Sequence, residues 1–301
     1  MRKRSFIRCM KFLIVTGIVL LSFPGCKTIP KANPVQPFNV LDDDSSLYIS
    51  LPVQFYEDLT VDILMKSVGE LKKEDAQYIA SRIDMLYAGI GSSDNASRVQ
   101  FCLTGTIPKS AHLVLNARHG WQKEYIYPDR GNTRISYVGY SRQDYPYEFS
   151  FLTDSLVCAA VDVRPMVVRY DTEANGIGVI PRDGSDLNST DVSWLTNSDS
   201  EIRFCVLRPQ AFLAKLLGID MRLALKNAHG FFSKSEKGGI LNLTLYLTFQ
   251  KPEAVQAASA IVRISAGRGS NIEVVHETGT AELTIRNIEI AQQQLVELLT
   301  K

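Results

Sequence analysis

The chain has 301 residues, of which 22% are charged, with 33 basic side chains, 32 acidic side chains and four histidines. The first 25 residues carry five basic residues and no acidic ones, so the remaining 276 residues have a net charge of −4. No global basic field is left to attract nucleic acid, and we predict no nucleic-acid partner. A chain of this length can bury a sizeable core, either as one large domain or as two smaller ones.

The first 26 residues have the pattern of an export signal. A basic segment precedes an apolar run at residues 12–23, and Gly25 precedes Cys26. This run is shorter than the roughly 20 apolar residues that a bilayer-spanning helix needs. We therefore predict a cleaved signal peptide at residues 1–25.

Residues 21–26 (LSFPGC) resemble the lipobox of bacterial lipoproteins, in its relaxed, spirochaete-type form. Phe23 and Pro24 depart from the common pattern, which has a leucine and a small residue there. The resemblance implies lipidation of Cys26 with two or three acyl chains, palmitate among them. It also implies a protein anchored to the inner or outer membrane of the bacterial cell envelope, with the periplasmic side favoured. An ordinary secretory peptide with a chance cysteine is the alternative.

Residues 26–45 are predicted to be the lipidated cysteine and a flexible tether. The segment contains Pro30, Pro34 and Pro37, shows little apolar periodicity, and ends near three successive aspartates at residues 42–44. Such a composition cannot bury enough apolar surface to order itself. Fully extended, the tether would reach about 60 Å, so that the folded part could stand away from the bilayer. The aspartates lack the spacing and the glycine turn of a calcium loop.

A first half is predicted at residues 46–182. Its alternating and helical patterns indicate a strand at 47–51, helices at 52–68 and 72–88, a strand at 98–106 and a short helix at 108–118. Two strand pairs follow, at 122–127 with 133–140 and at 147–152 with 156–163, each joined by a turn-like segment.

A polar segment at residues 183–200, around Trp194, is predicted to be a linker loop. The second half, residues 201–301, repeats the order of elements of the first. A strand at 202–207 precedes a helical region that begins at Pro209 and runs to about residue 228. A strand at 241–249, a helix at 252–264, a hairpin at 272–285 and a helix at 289–299 follow.

These patterns predict an α+β fold with two similar halves, each an antiparallel sheet covered by helices on one face. A duplicated unit is the simplest account of the repeated order. The alternative is that proline commonly begins helices and the repetition is accidental.

Aromatic residues are concentrated at residues 121–151. The pattern around residues 145–151 places aromatic side chains at alternate positions, and therefore on one face of a strand. Exposed, this face could stack on sugar rings or hold lipid tails; buried, it would be part of the core. The candidate ligand-binding residues are Trp121, Tyr125, Tyr127, Tyr145, Tyr147 and Phe149.

The usual signatures of catalysis and metal binding are missing from the sequence. Ser141 lies in a motif that resembles a nucleophile elbow, but Gln143 replaces its second glycine. The histidines have no metal-ligand spacing, and His119 and His229, each followed by glycine, are interpreted as helix C-caps. We therefore predict no catalytic residue, no metal and no cofactor.

Cys102, Cys158 and Cys205 lie far apart in apolar runs. The odd number and the wide spacing indicate buried thiols, although one bridge remains open.

The favoured hypothesis is a non-enzymatic, membrane-anchored binding or scaffold protein of the envelope, although the sequence does not decide the question of enzymatic activity. Its partners would be the membrane, through Cys26, and an envelope protein, a lipid or a glycan. A lipid or small-ligand carrier with an aromatic-lined cleft is the first alternative. An unrecognised hydrolase of the envelope is the second.

Overall fold

A computed structural model describes residues 34–300, apart from residues 69–70, 94–95, 109–114, 129–135, 176–186, 198–199, 211, 214–223, 267–270 and 278. Cys26 and the predicted signal peptide lie outside the described residues. Within the described residues, no helix has both the length and the apolar character that a membrane crossing requires.

Twelve strands and six α-helices make up the described fold. The strands are β1 Leu47–Pro52, β2 Ile83–Ser93, β3 Ala96–Gly105, β4 Gln122–Ile126, β5 Tyr137–Ser141, β6 Glu148–Thr153, β7 Leu156–Ala160, β8 Ile202–Val206, β9 Leu225–Lys234, β10 Ile240–Phe249, β11 Glu273–Val275 and β12 Glu282–Ala291. The helices are α1 Glu57–Val68, α2 Lys73–Ala80, α3 Arg164–Asn175, α4 Ser189–Thr196, α5 Glu253–Ala266 and α6 Gln292–Thr300. Short 3₁₀ helices occur at Pro37–Val40, Val53–Phe55 and Ala117–His119.

All twelve strands belong to one antiparallel sheet, in the order β11-β12-β10-β9-β8-β1-β2-β3-β7-β6-β5-β4. The predicted α+β class is confirmed, but the sheet is continuous and not divided into two. Strands of the predicted first and second halves meet at β1 and β8, where Leu47 lies opposite Val206. Whether the halves arose by duplication stays a prediction.

Helices cover both faces of the sheet, so the expectation of one covered face was wrong for the first half, whereas the described helices of the second half, α5 and α6, lie on one face. Buried side chains of α1, α2, α5 and α6 pack against the face that carries Ile49 and Leu51 of β1. The opposite face carries Tyr48 and is covered by α3, by Leu195 of α4 and by the first 3₁₀ helix. Because the central strands are buried on both faces, their side chains show no clean alternation between apolar and polar residues.

The C-terminal part of the predicted tether is folded. Phe38, Val40 and Leu41 are completely buried, and the ring centroid of Phe38 lies 4.9 Å from that of Tyr87. The prolines do not prevent this, since Pro37 occupies the first turn of a 3₁₀ helix, where a missing N–H costs little. The flexible tether therefore cannot extend to residue 45.

Two predicted helices are partly strands. The helix predicted at 72–88 ends at Ala80, and residues 83–93 form β2. The helical region predicted from Pro209 to residue 228 gives way to β9 at Leu225. In β2 the apolar residues belong to a strand that is largely buried on both faces, and such a continuous run cannot be told from a helix by periodicity alone. In β9 burial alternates along the strand, but Leu225 and Ala228 lie three residues apart, a spacing that also fits a helix.

Two further helices were not predicted. Helix α3 buries Met166, Val167 and Tyr170 against the sheet. Helix α4 lies within the segment that was predicted to be a linker loop.

Candidate functional site

Helix α4 is fixed at both ends by hydrogen bonds. At its start the side chain of Asn188 accepts hydrogen bonds from the backbone N–H groups of Thr190 and Asp191, at 2.8 and 3.0 Å, and Asp191 accepts one from the N–H of Asn188 in return. This reciprocal capping satisfies N–H groups that a helix start leaves free. Near its end the buried hydroxyl of Ser50 in β1 donates to the carbonyl of Leu195 at 2.7 Å. The helix therefore holds Trp194 in a defined position.

Trp194 is the centre of a polar and aromatic cluster on the sheet face beneath α4. Its ring centroid lies 5.2 Å from that of His229 and 6.1 Å from that of Tyr246, with both rings steeply inclined to the indole. His229 and Tyr246 lie opposite each other in β9 and β10 and stack at 4.9 Å with an interplanar angle of 18°. The guanidinium carbon of Arg203 lies 4.5 Å from the indole centroid, which is a cation–π distance.

Arg203 connects this cluster to β8. One guanidinium nitrogen donates to the carbonyl oxygen of Trp194 at 3.0 Å, and the group also pairs with Glu201 at 3.2 Å. Only 17% of the Arg203 side chain is exposed. A guanidinium that is stacked, hydrogen-bonded and paired has few rotamers left, so the side chain is preorganised.

The environment of His229 favours the neutral imidazole. Burial lowers the pKa of His229 below its usual value, and the carboxylates of Asp191 and Glu282 oppose this shift only in part. A neutral ring stacks on Tyr246 without the cost of burying a charge.

An open pocket of about 450 Å³ lies beside the cluster, between α4 and β8. Its lining consists of Ser189, Thr190, Ser193, Trp194, Asn197 and Arg203. Four of these six side chains are uncharged hydroxyl or amide groups that can both donate and accept hydrogen bonds. The pocket thus combines an aromatic ring, a cation and several neutral polar groups.

Two polar atoms, one in α4 and one in β9, are buried without a hydrogen-bond partner among the described residues. They are the indole nitrogen of Trp194 and the side-chain oxygen of Asn227, which is two residues before His229 on the same face of β9. A buried donor without an acceptor typically costs about 1–3 kcal/mol. A small displacement that gave the indole N–H an acceptor would therefore be favourable.

The six aromatic residues that were predicted to bind a ligand do not form one site. Trp121 is buried, with its ring centroid 5.2 Å from that of Tyr145 and 5.7 Å from that of Phe149. Tyr147 packs edge-on against Phe101 at 5.7 Å, and burial raises its pKa. Tyr125 and Tyr127, by contrast, are 58% and 67% exposed, on and just after β4. Trp121, Tyr145 and Phe149 thus lie together. The other three candidates, Tyr125, Tyr127 and Tyr147, lie outside this group.

The remaining candidate residues lie away from the pocket. His119 ends the 3₁₀ helix Ala117–His119, and Gly120 follows with a φ of 79°, which confirms the predicted left-handed cap. The same interpretation of His229 was wrong, because His229 lies in the middle of β9. Ser141 is the last residue of β5 and does not line the pocket.

No group of three or more His, Cys, Asp and Glu side chains is placed to hold a metal ion within the described part of the chain.

The fold and the pocket together define an α+β protein that is built on one large antiparallel sheet and offers groups suited to ligand binding. The family model of the outer membrane-associated lipoprotein TP0453 matches residues 32–296, and the chain belongs to this family. The assignment as a membrane-associated bacterial lipoprotein of the cell envelope is thereby supported over most of the chain, whereas the lipobox resemblance covers only the signal.

Three crystal forms of TP0453 share the fold. Forms I, III and IV give TM-scores of 0.64, 0.61 and 0.59, each at 16% sequence identity. Each alignment covers 89% of this chain, and 97%, 98% and 98% of the respective crystallised chains. No curated protein matches the chain.

Proposed function

We propose that the protein is a non-enzymatic, lipid-anchored binding protein of the bacterial envelope, and that its ligand is a neutral glycan held in the pocket beside Trp194. The observation that carries this proposal is the composition of the pocket. Aromatic rings provide flat apolar surfaces on which sugar rings can stack, and hydroxyl and amide side chains can exchange hydrogen bonds with sugar hydroxyls. A lipid tail would leave Ser189, Thr190, Ser193 and Asn197 without partners.

The preorganised arrangement of Trp194 and Arg203 supports a binding role. Both side chains are held by ring contacts and hydrogen bonds before any ligand arrives. Binding to a preorganised site avoids much of the cost of ordering side chains, which is about 0.5–1.5 kcal/mol for each flexible one. A ligand that shifts the indole slightly and offers an acceptor would also satisfy its N–H group.

Anchorage is the other part of the proposal. Acyl chains on Cys26 would hold the protein at the membrane, since two chains suffice for stable attachment. The first packed element, the 3₁₀ helix Pro37–Val40, begins eleven residues after Cys26. Eleven residues span at most about 40 Å when fully extended, so the binding domain would work closer to the bilayer than the roughly 60 Å that the predicted tether allowed. In a Cys26→Ala variant, the mass of the acyl chains should be absent and the protein should leave the membrane fraction; an unchanged mass would contradict lipidation.

Intrinsic fluorescence tests the pocket directly, because the chain contains only two tryptophans, Trp121 and Trp194. In a Trp121→Phe variant the signal reports on Trp194 alone. We expect a saturable change in this signal when a soluble N-acetylglucosamine oligomer is added. In the matched Trp194→Phe variant, the signal of Trp121 should not change. An Arg203→Gln substitution should weaken binding about tenfold, since it removes the cation–π contact that holds the indole in place.

The glycan proposal fails if the Trp121→Phe variant melts like the wild type but its fluorescence does not respond to the oligomer. It also fails if the Trp194→Phe variant responds equally. Neither result would bear on the anchor, which is measured by mass and by membrane fractionation.

A lipid or small-ligand carrier is the second candidate function. The observation that favours it is the exposure of Tyr125 and Tyr127, which are separated by one residue at the end of the edge strand β4. Under this alternative, lipid should co-purify with the protein and be detected by native mass spectrometry. A Tyr125→Ser/Tyr127→Ser double variant should lose it, whereas Trp194→Phe should retain it.

A further inference from the structure

Two of the three described cysteines face each other across a pair of strands. Cys102 in β3 lies directly opposite Cys158 in β7, in the middle of a ladder of five residue pairs. Both side chains are 0% exposed and neither takes part in a disulfide in this structure. Their side chains point to the same face of the sheet, since opposite residues of an antiparallel pair do so.

This placement satisfies the geometric requirement for a disulfide. Opposite residues in antiparallel strands have Cα atoms about 4.5 or 5.5 Å apart, depending on the type of pair. Disulfides join Cα atoms about 4.4–6.8 Å apart. The third thiol, Cys205 in β8, is separated from β3 by β1 and β2, which corresponds to about 14 Å at the usual strand spacing. Cys205 therefore cannot join either of the two without rearrangement.

We propose that Cys102 and Cys158 form a disulfide that joins β3 to β7 after export of the chain. The predicted signal peptide would deliver the chain to a compartment where disulfides form, and the oxidant would be a disulfide-bearing protein or a small-molecule disulfide. One cysteine thiolate attacks the oxidant disulfide to give a mixed disulfide and releases one thiolate. The other cysteine thiolate then attacks the mixed disulfide and releases the second. Two cysteine thiols are oxidised, one disulfide is reduced to two thiols, and the two protons pass to the released thiolates.

Burial determines when the reaction takes place. Burial, and then the neighbouring Cys102, raise the pKa of Cys158 well above its usual value, which disfavours the reactive thiolate in the folded protein. Exchange therefore occurs while β7 is not yet seated on β3. Once the ladder has closed, the same burial protects the bond from reductants.

The disulfide would strengthen the ladder between β3 and β7. Strands β7, β6, β5 and β4 are joined to the centre of the sheet through the pairing of β3 with β7. This ladder covers residues Gln100 to Thr104 on one side and Leu156 to Ala160 on the other. A covalent link at its middle would hold the outer four strands in register even when neighbouring hydrogen bonds open.

Differential alkylation of the full-length protein tests the proposal. Cells are quenched in acid, and the denatured protein is labelled with N-ethylmaleimide, then reduced and labelled with iodoacetamide. We expect peptide mass spectrometry to find the second label on Cys102 and Cys158 and the first on Cys205. The first label on all three cysteines would overturn the proposal.

Thermal melting provides a second readout. Protein with the disulfide should melt about 5 °C higher than the same protein refolded under reducing conditions. A Cys205→Ala variant should retain this difference and a Cys158→Ala variant should lose it. An equal difference in both variants would contradict the pairing. If the Cys158→Ala variant fails to fold, alkylation of the wild-type chain still shows whether Cys102 and Cys158 are joined.

Discussion

Asp42 is a buried carboxylate held between two guanidinium groups. It pairs with Arg98 at 2.8 Å and with Arg169 at 2.5 Å, and 5% of its side chain is exposed. Its backbone also takes part, since its N–H donates to Gln100 and its carbonyl oxygen accepts from the hydroxyl of Tyr48. Asp42, which lies in the segment that was predicted to be a flexible tether, thus fastens residues 37–44 to the sheet.

Replacement of Asp42 by Asn should destabilise the protein by about 2 kcal/mol, as measured by urea unfolding. The value lies below the 3–5 kcal/mol typical of a broken buried pair because Arg98 is 43% exposed and Arg169 is 22% exposed. Asp44→Asn is the matched control, because Asp44 also pairs with Arg98 but is 69% exposed. Its effect should be about 0.5 kcal/mol. Equal effects of the two substitutions on the free energy of unfolding would contradict the prediction that the buried Asp42 contributes more than the exposed Asp44.

At the scale of single elements, the lack of a side chain at Gly230 lets β9 pack closely against Thr244 of β10 and Phe204 of β8. A Cβ atom at this position would collide with the carbonyl oxygen of Thr244 and lie 2.7 Å from the ring of Phe204. The backbone oxygen cannot move aside as the end of a flexible side chain could. Gly230 is thus required by packing.

We expect Gly230→Ala to lower the melting temperature by several degrees or to prevent folding, because it overpacks the sheet by about 1–3 kcal/mol or more. Gly238→Ala is the control, since a Cβ at residue 238 would meet no atom within 4 Å. Its melting temperature should stay within about one degree of the wild type. An unchanged melting curve of the Gly230→Ala protein would refute the close packing of Gly230 against Thr244 and Phe204.

Element prediction from the sequence succeeded where one local signal was strong. Strands at residues 47–51, 98–106 and 241–249 alternate or are bounded by proline, and the structure has β1, β3 and β10 there. It failed for β2, because burial on both faces removes the alternation that identifies a strand, and for β9, because Leu225 and Ala228 have a spacing that also fits a helix. Helix α4 had a readable signal in Asn188 and Asp191, which have capping-box spacing, but its polar composition suggested a loop.

The candidate site was less accessible to prediction than the fold. Trp194, His229 and Tyr246 come from α4, β9 and β10, which are far apart in sequence and meet only because β8 and β9 are neighbours in the sheet. No local pattern encodes such a meeting. The aromatic cluster that was visible in sequence, at residues 121–151, mainly packs into the sheet, as alternation on a strand also permits.

For the whole molecule, we predict one cooperative unfolding transition. A single buried cluster includes Leu47 and Ile49 of β1 together with Phe204 and Val206 of β8, so the predicted halves share a core. Separate fragments of residues 46–182 and 201–301 should therefore show no cooperative melting by circular dichroism, whereas the full chain should melt in one step. A fragment that melts cooperatively by itself would show that its half is an independent domain.

The pairing of β1 with β8 also determines the order in which the protein can fold. Strand β1 lies early in the chain, yet its partner begins only at Ile202. Until then β1 presents an unpaired edge, and closing so long a loop is slow and leaves the chain open to aggregation. The nascent protein should therefore depend on chaperones until its last third is available for pairing. Chains truncated before β8 would be substrates for proteolysis.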